Sequence, residues 1–136
     1  MHDKAFLDSN ILIYLYTEDD ESKRNIAQLK LNENICVTSI QVLNEISNVL
    51  GKKFSLNHSE AKELLDNIEA VCDEVLPINR KTIDNALVLK DRYGFSYFDS
   101  LILSSALESE CNVIFSEDMS DGQIIEKTLR IINPFK

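Results

Sequence analysis

The chain has 136 residues and a formal net charge of −9, with 44% hydrophobic and 27% charged residues, the composition of an ordinary globular domain rather than a disordered or fibrous chain. Area scaling for this length gives roughly 7,000 Å² folded against roughly 22,000 Å² unfolded, so about two-thirds of the surface can be buried without metals or disulfides. One domain over residues 1–136 is therefore expected, and three glycines and two prolines are too few for an all-β protein built on tight turns.

The opening Met-His-Asp-Lys does not read as a signal peptide. The first strand is expected over Lys4–Asp8, followed by a turn at Ser9-Asn10 and a short helix over Ile11–Tyr16. That apolar run is the longest in the chain and falls far short of the roughly 20 residues a membrane span needs. Acidic residues from Glu18 to Glu21 suit the start of a second helix reaching about Leu31. Ile35–Thr38 is the second strand. Ser39 then caps a helix to about Leu50, with Ile40, Leu43, Ile46 and Leu50 at helical spacing and Gly51 as its stop. Residues 52–57 read as a linker, and Ser59–Cys72 as a helix with Ala61, Leu64, Leu65, Ile68 and Val71 on one stripe. A third strand, Val75–Ile78, contains Pro77, which marks an edge or a strand end. Helices over Lys81–Tyr93, stopped by Gly94, and over Phe98–Glu110 precede strands at Val113–Ser116 and Leu129–Asn133. Alternation of strands and helices predicts an α/β three-layer sandwich with a central parallel sheet of about five strands. Cys36, Cys72 and Cys111 are odd in number and lack a CxxC pair, so reduced thiols in a cytoplasmic protein are expected, and no zinc site.

Because ligands of parallel α/β sheets bind outside the carboxyl ends of the strands, the acids at those ends carry the functional reading. Asp8 closes the first strand, where it can also cap the following helix. Asp118 follows the fourth strand in Ser116-Glu117-Asp118-Met119-Ser120-Asp121-Gly122, a segment that also reads as a solvated turn. Asp99 sits in a first helical turn on the same stripe as Ile102, Leu103 and Ala106; Ser96-Tyr97-Phe98-Asp99 equally fits a capping box. Glu45 lies at the edge of a buried stripe between Val42 and Val49, a place that also suits a salt bridge. Taken together, the four can converge on one rim. Crowded carboxylates repel and take up protons unless compensated, and hard divalent cations, Mg²⁺ or Mn²⁺, are the natural compensation for an oxygen-only site. Two such ions would balance four carboxylates and equip the pocket to accept a phosphodiester and activate a water. The overall negative charge argues against a simple nucleic-acid binder but not against a nuclease whose pocket charge is reversed by bound cations.

Phe6-Leu7-Asp8-Ser9-Asn10-Ile11-Leu12, the Glu45 helix, Phe98-Asp99-Ser100-Leu101-Ile102 with Ala106, and the segment Ser116–Gln123 resemble, in order and spacing, the acidic motifs of the PIN-domain ribonucleases. The nearest subgroup is the VapC-like toxins of bacterial toxin–antitoxin pairs. The resemblance extends to the closing Leu129–Phe135, and Ser9 keeps the hydroxyl where the family more often has Thr. It implies a parallel sheet between helices, Mg²⁺- or Mn²⁺-dependent endonucleolytic cleavage of RNA, and inhibition by a cognate antitoxin. On that reading Asp8, Glu45, Asp99 and Asp118 hold the metal directly or through water. Ser116 and Asn10 support them by hydrogen bonds, and Asp121 either joins the site or shapes the turn. A homodimer is the default assembly.

Lys52 and Lys53 can contact RNA phosphates or a partner's acids, or simply complement the end of their helix; Arg92 reads the same way, and His58 has no metal or catalytic company. Two other functions fit parts of the sequence. A receiver-like phospho-acceptor domain would suit the length and acids, but Asn79-Arg80 follows the third strand and Asn133-Pro134 the fifth, where that arrangement has an acceptor Asp and a Lys. A PIN-like scaffold without catalysis is the other alternative, against which the intact set of acids speaks. No GxGxxG supports a dinucleotide enzyme.

Overall fold

A computed structural model describes residues 3–136; Met1 and His2, on which the signal-peptide reading partly rests, lie outside the described residues. Six strands and six helices follow one another as β1 (Lys4–Leu7), α1 (Ser9–Tyr14), α2 (Glu21–Glu33), β2 (Ile35–Ser39), α3 (Ile40–Lys53), α4 (His58–Val71), β3 (Glu74–Leu76), α5 (Arg80–Tyr93), α6 (Tyr97–Glu108), β4 (Val113–Phe115), β5 (Ile124–Ile125) and β6 (Leu129–Ile132). The sheet order is β3-β2-β1-β4-β6-β5. Every pair is parallel except β5 with β6, so the carboxyl ends of the five parallel strands share one edge of the sheet.

From β1 the chain steps outward to β2 and β3, then crosses back to β4 on the other side of β1. Right-handed crossovers that reverse direction in this way put their helices on opposite faces. Contacts run mainly within the two groups, α1 meeting α2 and α3, α3 meeting α4, and α5 lying along α6, while α3 also meets α6. The reversal between β1 and β4 is the switch point of the sheet, where diverging loops leave a crevice. Those two strands are in register from Ala5–Val113 to Leu7–Phe115, and the Asp8 N–H donates to the Phe115 carbonyl at 3.1 Å. The residues just after β1 and those just after β4 are thereby held side by side.

Ala5, Phe6 and Leu7 are wholly buried, as expected of a strand covered by helices on both faces. Ile11, Leu12, Ile46, Leu50, Ile102 and Leu103 pack over the sheet from the helices. Ser39 caps α3, its hydroxyl accepting from the Val42 N–H at 3.3 Å. Gly94 ends α5 in the left-handed region, φ 78°, where glycine carries no Cβ penalty. Pro77 falls just beyond the edge strand β3.

Two local expectations are corrected. Gly51 does not stop α3: the helix continues to Lys53 and ends at Phe54, because a lone glycine costs a helix only about 1 kcal/mol and the chain stays helical while Leu50 remains buried. Residues 52–53 are therefore helix, not linker. The five strands expected in the parallel sheet all form, and a sixth, antiparallel strand adds to them at the edge beside β6. The additional strand, Ile124–Ile125, pairs antiparallel with Arg130 and Leu129 through a turn in which the Thr128 N–H donates to the Ile125 carbonyl at 3.2 Å.

Its two central residues, Glu126 and Lys127, both have positive φ, 49° and 68°. A hairpin turn of that kind is normally signalled by Asn-Gly or Asp-Gly, and Glu-Lys gives no such signal. Tertiary contacts hold it: the Tyr93 hydroxyl accepts from the Glu126 N–H at 2.9 Å, and the Arg92 guanidinium pairs with the Glu126 carboxylate. Replacing Lys127 by glycine removes the left-handed penalty of a side chain that no such contact fixes, so Lys127→Gly is expected to stabilise the fold by about 1 kcal/mol. A urea titration checks this, and a loss of stability would mean that the turn is not strained.

Candidate active site

Each acid named from the sequence is placed by its element. Asp8 comes directly after β1 and is the N-cap of α1, with only 8% of its surface exposed. One carboxylate oxygen accepts from the Ser9 N–H at 2.7 Å and the other from the Ser116 hydroxyl at 2.8 Å. Capping and presentation to the cleft are thus compatible. Ser116, itself fully buried, comes directly after β4 and reaches Asp8 because β1 and β4 are neighbours. Asp118 comes two residues later and accepts from the Asn10 side-chain amide at 2.6 Å. Glu45 on α3 accepts from the Ser9 hydroxyl at 2.8 Å and from the Gln41 amide, one helical turn back, at 3.3 Å.

Asp99 stands in the first turn of α6. The Ser96 hydroxyl accepts from the Asp99 N–H at 3.2 Å, yet no capping box forms there, in contrast to the complete boxes at α4 and α5. The cap therefore uses the backbone of Asp99. Its carboxylate, half-buried, looks into the same crevice as the other three.

Asp8, Glu45, Asp99 and Asp118 all line one open cleft of about 560 Å³ at the switch point. Asp121 does not line it; its carboxylate accepts from the Asn133 N–H at 2.8 Å and so shapes the turn before β5. Sequence reasoning missed Gln41, Tyr14, Asp19 and Asn48, of which the last three line the cleft. It also missed a cluster beside it, in which the Glu117 carboxylate takes the Tyr14 hydroxyl at 2.7 Å and the Lys23 ammonium. The Phe135 ring packs edge-on against Tyr14 with centroids 5.1 Å apart. Burial pushes Glu117 up, but the Lys23 and Tyr14 hydrogen bonds outweigh it and leave the group below its usual range. These pairings join positions more than ninety residues apart, and no local pattern in the sequence announces them.

Asp8 and Asp99 shift in the opposite direction to Glu117. Burial, opposed by the Ser116 and Ser9 hydrogen bonds and reinforced by the charges of Glu45 and Asp99, raises Asp8 to about 6. Burial also raises Asp99, opposed by a hydrogen bond from Ser96 and with the Asp118 charge adding to the effect. Burial is the larger cause in both, and the neighbouring carboxylates add to it. Among the described residues no three Asp, Glu, His or Cys side chains stand close enough together to enclose one ion. The donors nevertheless fit a hard divalent cation in kind: oxygen only, anionic, convergent and held by hydrogen bonds from behind. The three cysteines contribute nothing to it. All are free and buried, and burial pushes the Cys36 thiol up to about 12 and those of Cys72 and Cys111 to about 11.

These shifts make stability depend on pH. Asp8 holds its proton more tightly folded than unfolded, so between about pH 4 and about pH 6 the native state binds the extra proton. Stability then falls as pH rises through that window, by up to about 3 kcal/mol, and is level above it. Ser116→Ala deletes a bond that favours the ionised form and is expected to extend the decline to higher pH. Urea titrations in EDTA across this range check both statements; stability that rises from pH 4 to 6 contradicts them.

Comparison with known proteins gives a consistent result. Residues 5–120 match the PIN domain. No curated protein matches the chain. Among solved structures, the fold is similar to a toxin–antitoxin complex from Klebsiella pneumoniae (TM-score 0.72, 20% identity, 96% of this chain and 97% of that one). It is similar also to VapBC2 from Rickettsia felis bound to a promoter DNA fragment (0.69, 18%, 96% and 99%). A third is the sarcin–ricin-loop-cleaving toxin VapC20 of Mycobacterium tuberculosis (0.64, 19%, 84% and 91%).

Proposed function

The chain belongs to the PIN domain family, and on that premise we propose that it is a divalent-metal-dependent endoribonuclease, the toxin of a toxin–antitoxin pair. The observation that carries this reading is the convergence of Asp8, Glu45, Asp99 and Asp118 on one cleft at the switch point of the sheet, where burial, with neighbouring carboxylates adding to it, raises Asp8 and Asp99. Asp8, Asp99 and Asp118, with Glu45, would hold Mg²⁺ or Mn²⁺; when bound, such ions neutralise the pocket, polarise the phosphodiester and lower the pKa of water.

The protein's own part is positioning. Ser116 and the Ser9 N–H fix both oxygens of Asp8, Asn10 fixes one oxygen of Asp118, and Ser9 with Gln41 fixes Glu45. With these rotamers set before substrate arrives, little reorganisation is left to the reaction. No side-chain nucleophile is needed, and among the residues lining the cleft there is no histidine or cysteine to serve as one.

The partner reading rests on the fold neighbours from Klebsiella pneumoniae and Rickettsia felis, which are toxin–antitoxin assemblies. Likeness to VapC20, a toxin that cleaves the sarcin–ricin loop, supports RNA as substrate. Three free, buried thiols fit a reducing compartment, the cytoplasm, and a homodimer is the expected assembly. Among the described residues no helix is long and apolar enough to cross a membrane. The test is incubation of antitoxin-free protein with total cellular RNA, with Mg²⁺ or Mn²⁺ and with EDTA, followed by sequencing of new ends. Discrete cuts that require the metal are expected. Absence of cutting by folded protein would favour a non-catalytic PIN scaffold.

A further inference from the structure

The cleft is not uniformly acidic along its length. α3 contributes Glu45, Asn48, Val49 and Lys53 to its wall, at offsets of three, four and eight, which share one helical face. With a rise of about 1.5 Å per residue, Lys53 stands roughly 12 Å along the helix from Glu45. It is the sole cation lining the cleft, against five acids. Among the described residues Lys53 forms no ion pair; its ammonium lies 6.0 Å from the centre of the Phe54 ring, another cleft residue. Complementing the end of α3 does not account for this placement, because Lys52 serves that purpose equally and lies outside the cleft.

An unpaired cation near an aromatic ring, in a cleft that also holds an amide, is the chemistry that grips the backbone of a single strand. We infer that Lys53, aided by Asn48 and Phe54, forms a subsite for a phosphate flanking the one to be cut, on an RNA strand running along α3. This rests on the nuclease reading and adds to it where the strand lies. At roughly two helical turns from Glu45, the ammonium is too far to act on the reacting phosphate. It contributes to binding and not to the chemical step.

The experiment uses the protein with an intact set of acids, Mg²⁺ and a short fluorescein-labelled single-stranded RNA of mixed sequence whose phosphorothioate linkages resist cleavage and keep the backbone charge, followed by anisotropy over a range of salt. Lys53→Met is expected to weaken binding by up to about fivefold at low salt, the scale of one exposed ion pair, and to reduce the slope of log affinity against log salt by about 0.7, the contribution of one phosphate contact to a single strand. Lys53→Arg retains the slope and Lys52→Met leaves it unchanged. In the otherwise wild-type enzyme, Lys53→Met raises KM for cleavage and spares kcat. An unchanged slope in Lys53→Met, with cellular RNA still cut by the wild type, overturns the subsite alone. Unchanged RNA binding with loss of a co-purifying partner protein overturns it too and gives the lysine to that partner. No RNA binding and no cutting overturn the subsite and the nuclease reading together.

Discussion

Asp8→Asn is expected to reduce RNA cleavage by about 10²–10³-fold or more, the scale of removing one preorganised electrostatic group, while making the protein more stable. The two effects have one origin. Asp8 is 8% exposed and raised to about 6 by burial and by Glu45 and Asp99, so its ionised form near neutral pH costs the apo fold up to about 3 kcal/mol. Asparagine occupies the same volume, its oxygen can keep the Ser9 N–H, and its amide can donate to the Ser116 hydroxyl. With 1 kcal/mol worth roughly 4 °C for a chain of this size, the melting temperature in EDTA is expected to rise by several degrees. Active sites commonly hold such a stability deficit in exchange for function. Parallel cleavage and melting measurements decide the matter. A folded variant that cuts at the wild-type rate removes Asp8 from the site, and a variant that melts lower assigns the carboxylate a structural role.

The second large effect concerns the metal. Mg²⁺ or Mn²⁺ at one hundred times its dissociation constant is expected to stabilise the native state by about 2.7 kcal/mol if it binds only the folded protein, a gain of roughly 10 °C. Relief of the repulsion among Asp8, Glu45, Asp99 and Asp118 is the physical source. The gain should therefore be lost in Asp99→Asn and in Asp8→Asn, each of which removes a ligand charge, and cleavage should disappear in EDTA and return when the ion is restored. Asp121→Asn, whose parent carboxylate holds the Asn133 backbone outside the cleft, should keep the metal response. A wild-type melting temperature indifferent to both ions, with cleavage indifferent to EDTA, would refute a metal site.

Much of this molecule is legible in the sequence. The apolar runs at Lys4–Leu7 and Val113–Phe115, the Ser39 and Ser96 caps and the Gly94 stop are decided within a few residues, by burial and by backbone hydrogen bonding. Asp8, Glu45, Asp99 and Asp118 are legible for the same reason, since each stands at a strand end or on an inward helical stripe, where a carboxylate needs an explanation; Asp19, the fifth acid of the cleft, stands at neither. Gly51 and the Glu126-Lys127 turn are not. At Gly51 the burial of Leu50 and the continuing helix outweigh a weak local preference, and at the turn Arg92 and Tyr93 supply from a distance what an Asn-Gly pair would supply locally.

Five of the six strands, the helices and the residue types suited to the chemistry follow from local pattern. Their company does not: Ser116 meets Asp8 and Asn10 meets Asp118, each across 108 residues, Ser9 meets Glu45 across 36, and Lys53 is the one cation among the described residues that line the acidic cleft. Local preferences act over a few residues along the chain. A hydrogen bond or an unpaired charge depends on what the crossover from β3 back to β4 brings within about 3 Å, and that is a property of the assembled sheet.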